Sequence, residues 1–152
     1  MMSNRKKDIK LYNVLFPFWM LMLFPVAWLV ILPGNFIIDS LVLILSLKIL
    51  KIAEKKQWYC QHIFKIFAFG MLADILGAAY MFLLIAKFEV GYMGDELYLT
   101  LPALFISAAL IFALNYFITF RKEERKQRLQ LSLIFAIVTA PYTFLIPSSW
   151  LY

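Results

Sequence analysis

The stretch Ile63–Phe88, IFKIFAFGMLADILGAAYMFLLIAKF, carries only three charged side chains, Lys65, Asp74 and Lys87. A helix rises 1.5 Å per residue, so this run is about 39 Å long and exceeds a hydrocarbon core of about 30 Å. It shows no strict alternation of polar and apolar residues, which a membrane barrel strand requires. A continuous apolar run of this length satisfies its backbone in lipid only as a helix. Four further runs flank it: Leu11–Leu32, Phe36–Ile52, Leu97–Phe120 and Leu129–Trp150. The expected fold is an all-α integral membrane bundle of five transmembrane helices in a single domain, residues 1–152.

Composition agrees. Of 152 residues, 64% are hydrophobic and 16% charged. Soluble domains are about 45–50% apolar and about 25% charged, and disordered chains are less apolar still. Leu11–Leu32 follows a basic tail but is not a signal peptide. It is longer than an h-region, carries Phe16, Phe18, Trp19, Phe24 and Trp28, and has no small-residue cleavage site after it.

Charge sets the expected orientation. Arg5, Lys6, Lys7 and Lys10 precede the first run, and Lys48, Lys51, Lys55, Lys56 and Lys65 surround the second connection. Arg121, Lys122, Arg125, Lys126 and Arg128 fill the fourth. The opposite side holds Lys87 beside Glu89, Asp95 and Glu96. By the positive-inside rule the N-terminus is inside and the C-terminus outside. The net charge of +6 is therefore a topology signal, and no nucleic-acid partner is expected. The expected partners are the lipid bilayer and a second membrane protein or further copies of the chain. The composition, rich in lysine, isoleucine and phenylalanine, points to a bacterial cytoplasmic membrane.

Pro33-Gly34-Asn35 reads as a tight turn joining the first two helices into an antiparallel hairpin. Ala53–His62 and Glu89–Glu96 read as short connections, and Arg121–Arg128 as a continuation of helix, with Glu124 and Arg128 spaced i,i+4. Pro17, Pro25 and Pro33 should kink the first helix, and Pro141 the last, where Thr139 or Thr143 can help satisfy the freed backbone.

Asp74 is the leading candidate for function. It lies about 16 Å into its run, near the midplane, where a carboxylate should face the bundle or a water-filled cavity. Gly70, Gly77 and Ala78 share its face and admit a close helix neighbour. Lys48, about 10 Å deep on the second run, is the expected counter-charge. Asp39 should lie only about 6 Å deep, favoured there by the helix dipole, with Ser46 further along its face. Two membrane aspartates invite comparison with intramembrane aspartyl proteases. It fails on the expected depths, since a dyad needs both carboxyls at one level. Ala73-Asp74 also departs from the Gly-Asp of those enzymes.

Small and polar residues recur at four-residue steps: Ala103, Ser107, Ile111 and Asn115 on the fourth run, and approximately Ser132, Ala136, Thr139 and Thr143 on the fifth. Such stripes act as helix–helix glue or line a polar path. Cys60 and His62 are two ligands where zinc needs three or four, so no metal site is expected. No cofactor motif and no catalytic set are present, so no cofactor and no enzyme activity are expected. Two functions remain. One is a non-catalytic accessory, regulatory or assembly protein acting by helix association. The other is a small proton- or ion-coupled transporter or channel using Asp74.

Overall fold

The computed structural model describes residues 25–88 and 96–145. Within them the chain is helical and without strands. Helix α1 spans Pro25–Ile49, α2 Lys55–Phe88 and α3 Glu96–Leu114. A π-helical turn, Asn115–Thr119, closes α3; α4 follows at Arg125–Val138, then a 3₁₀ turn at Tyr142–Leu145. Among the described residues four segments are long and apolar enough to cross a membrane: Pro25–Ile49, Lys55–Leu84, Thr100–Thr119 and Arg125–Leu145.

The bundle turns large apolar side chains outward and buries several polar ones within an apolar core. Val26, Leu29 and Val30 on α1 are each more than 70% exposed, whereas Ser107, Asn115 and Ser132 are fully buried. Water would penalise that arrangement; lipid favours it, because apolar side chains lose nothing there and polar groups must pair inside. Helix α2 packs against both α1 and α3, α3 against α4, and α1 also meets α4.

Pro33-Gly34-Asn35 is not a turn. Helix α1 runs through all three residues. Turn chemistry for this triplet presumes water that can solvate freed backbone groups. In hydrocarbon each unpaired group costs several kcal/mol, so the helix continues and tolerates one missing donor at Pro33. The expected hairpin boundary is therefore displaced: α1 joins the end of the first run to the second. The rest of the first run, with Pro17, lies outside the described residues.

The connection between α1 and α2 is shorter than Ala53–His62, since α2 begins at Lys55. Ile52 N–H donates to Leu47 C=O at 3.1 Å and Lys51 N–H to Lys48 C=O at 3.3 Å. This pair of bonds is a Schellman cap, completed by buried Ile52 against buried Leu47. Its left-handed position is occupied by Lys51, φ 52°, instead of glycine.

Arg121–Arg128 is not continuous helix. The chain turns after Phe120, and Glu124, at φ −55° and ψ 140°, precedes α4 without a side-chain cap bond. Pro141 ends α4 instead of kinking a longer helix. Thr139 Oγ1 donates to Phe135 C=O at 2.8 Å, a carbonyl that the Thr139 N–H already reaches, so it does not serve the Ile137 carbonyl that Pro141 leaves without a donor. Thr143 lies in the 3₁₀ turn and is exposed, off the buried stripe.

Candidate functional site

Asp39 is mid-helix. It lies about 21 Å along α1 from Pro25, where the described residues begin, and about 15 Å from Ile49. Its carboxylate projects onto α2 at Gly70: a Cβ there would stand 3.6 Å from Asp39 Oδ2. Asp74 lies one turn further along α2, on the same face, and the two carboxyls are within electrostatic reach of each other. Both residues are buried, at 5% and 6% exposure. The depth argument against two neighbouring aspartates is thus overturned, and they form a pair staggered by about one turn. Ala73 before Asp74 still departs from the protease motif.

The expected Lys48–Asp74 ion pair does not form. Lys48 is exposed in the last turn of α1, about 13 Å from Asp39 along the helix, and makes no salt bridge among the described residues. Asp74 Oδ1 is buried without a hydrogen-bond partner among the described residues.

Ser107 sits at the level of the acid pair, donating to Ala73 C=O at 3.0 Å. Gly77 and Ala78 lie one turn beyond. A Cβ on Gly77 would overlap Ser107 Oγ and approach Phe144 Cε2 at 2.9 Å. This glycine face is therefore filled by α3 and by the segment after α4. Ala78, Met81, Ala103 and Phe144 form a buried apolar cluster on that side of the pair. Thr100 is the buried polar residue there.

The other half, toward the basic end of the bundle, interleaves polar with apolar groups. Ser46 donates to Val42 C=O at 2.7 Å, and Asn115 Nδ2 to Ile111 C=O at 3.0 Å. Asn115 Oδ1, Thr119 Oγ1, Ser132 Oγ and Arg128 Nε are buried and have no partner among the described residues. The π-turn contributes here. Phe120 N–H reaches back five residues to Asn115 C=O, and the shift in register buries Asn115, Thr119 and Phe120 together.

His62 also lies in this half. It sits two turns into α2 and is buried, stacked on Trp58 with centroids 4.4 Å apart. Its Nδ1 meets Trp58 C=O at 2.9 Å and its Nε2 lies 3.6 Å from Glu123 Oε1. Cys60 is exposed. No group of three or more metal-ligating side chains occurs among the described residues.

Two groupings escaped the sequence reading: His62 with Glu123, and Tyr116 with Arg125 and Arg128. Arg128 Cζ lies 3.9 Å from the Tyr116 ring centre. The i,i+3 spacing of the two arginines was a visible signal; their meeting with Tyr116 depends on the π-turn, which no residue pattern announces.

No protein-family model, no curated protein and no solved structure matches this chain.

Proposed function

We propose that the chain is a small proton-conducting or proton-coupled membrane protein in which Asp39 and Asp74 hold the proton in transit. The observation that carries this reading is a pair of buried carboxyls on adjacent helices with no cation beside them among the described residues. Ionisable groups inside membrane spans face the bundle and mark ion paths or proton relays. A hard divalent cation prefers six or more oxygen ligands, and two carboxyls supply at most four, so a proton fits better.

The surroundings favour access from the basic end. The buried atoms with spare hydrogen-bonding capacity lie at Asp74 and in the half that faces that end, whereas an apolar cluster lies on the other side. Buried polar groups of this kind are where ordered water binds. The positive-inside rule places the basic end in the cytosol if the membrane is a cytoplasmic one.

The association reading uses the Gly70 and Gly77 face and the small-residue stripes to pack against a partner or a second copy. Gly77, Ala78, Ser107, Asn115 and Ser132 pack within the chain, which weakens this reading. No catalytic residue is assigned.

The test is proton flux into liposomes holding a pH-sensitive dye, driven by a potassium diffusion potential. The protein should raise the flux above empty liposomes, and Asp74→Asn and Asp39→Asn should abolish the increase while remaining folded. Flux equal to empty liposomes, or undiminished in both variants, sinks the proposal.

A further inference from the structure

Helix α4 opens with Arg125, Lys126, Gln127 and Arg128, and no acidic residue lies in its first turn. Cations at a helix N-terminus oppose the macrodipole, and the free N–H groups there have no side-chain cap. The charge is focused further. Arg125 and Arg128 both lie beside the Tyr116 phenol, which belongs to the π-turn of the neighbouring helix. Phe112 stacks on that ring at 5.5 Å and Phe117 meets it edge-on at 5.0 Å, so its position is fixed from two sides. Among the described residues no ion pair joins Glu124 to either arginine, and the Glu123 carboxylate is turned toward His62. Arg128 Nε is buried without a partner among the described residues.

We propose that Arg125, Arg128 and Tyr116 form a phosphate-binding site at the basic end of the bundle, with the headgroup of an anionic lipid as its source. Guanidinium groups match phosphate oxygens with paired hydrogen bonds, and two of them beside one phenol define a specific pocket for such an anion. A tyrosine at this depth sits at the headgroup level. The inference rests on the membrane reading and is independent of proton movement at Asp39 and Asp74.

Native mass spectrometry of the full chain, exchanged from detergent into micelles doped with phosphatidylglycerol or with phosphatidylcholine of the same acyl chains, tests it. The protein should retain one phosphatidylglycerol in preference to phosphatidylcholine. The double variant R125Q/R128Q should lose that retention by about tenfold or more, because charge-assisted hydrogen bonds are removed. R121Q/K122Q removes the same charge from the adjacent turn and should retain the lipid. If the arginine variant fails to fold, Arg128→Lys (charge kept, fork lost) and Tyr116→Phe should each weaken retention. Equal loss in both double variants means generic surface attraction and overturns the proposal, as does equal retention of the two lipids. Inorganic phosphate held instead of lipid, with the same dependence on Arg125 and Arg128, keeps the phosphate chemistry and assigns it to the free ion.

Discussion

Asp39 reaches across to Gly70 on the neighbouring helix, and Asp74 lies one turn beyond on the same face of α2. Neither is held by a cation among the described residues. Asp74→Asn should therefore leave thermal stability in detergent equal to or above that of the parent protein, since no ion pair is lost. Lys48→Met should change neither the parent nor the Asp74→Asn variant. A marked fall in Asp74→Asn, recovered by Lys48→Met, would restore the ion pair that α1 and α2 do not show.

The two glycines on this face should respond differently to alanine. At Gly70 the added methyl meets Asp39 Oδ2 at ordinary contact distance, and the substitution should be tolerated. At Gly77 it overlaps Ser107 Oγ and presses on the Phe144 ring. Overpacking of this kind costs about 1–3 kcal/mol, and Ser107 would have to leave the Ala73 carbonyl. Thermal unfolding of Gly77→Ala should show that loss, and Ser107→Ala in the same chain should recover part of it.

Much of this packing was legible in the sequence. Ala103, Ser107, Ile111 and Asn115 recur at helical spacing and are all buried, because small and polar residues are what one membrane helix presents to another. Pro33-Gly34-Asn35 misled because its turn signal belongs to water. The depth of Asp39 was measured from that false helix start, and the separation of the two aspartates followed from it. The Lys48–Asp74 pairing failed for a related reason: Lys48 ends its helix and has solvent or headgroups to reach, so nothing draws it inward. The π-turn was invisible because an extra residue in a helix leaves the local composition unchanged.

The orientation is open to a direct check, because the described cysteine, Cys60, is exposed near the start of α2. In right-side-out vesicles a membrane-impermeant maleimide should leave Cys60 unlabelled until the membrane is opened. In a Cys60→Ser background, Ser3→Cys should behave like Cys60 if the tail lies on the same side. Labelling of Ser3→Cys from outside would reduce the spans to an even number.

Lys51 holds a left-handed backbone position that glycine occupies without strain. A side chain there costs roughly 1 kcal/mol. Lys51→Gly should stabilise the Schellman cap by about that amount, read as a raised midpoint of thermal unfolding, with the topology unchanged because several other cations remain at that end. A lowered midpoint would show that the Lys51 charge contributes more than the backbone relief.

Pro141 cannot donate to the carbonyl four residues before it, that of Ile137, and the Tyr142 hydroxyl donates there instead. The substitute matters because Tyr142 is exposed on the apolar outside of the bundle, where lipid offers no replacement donor. Tyr142→Phe keeps the ring and removes the donor. It should cost about 1 kcal/mol, the range of a single hydrogen bond within a membrane bundle. In a Pro141→Ala background the backbone regains an N–H that can serve Ile137, so the same Tyr142→Phe change should cost less. Equal costs in the two backgrounds would mean that the hydroxyl contributes through its surroundings and not by standing in for the proline's missing donor.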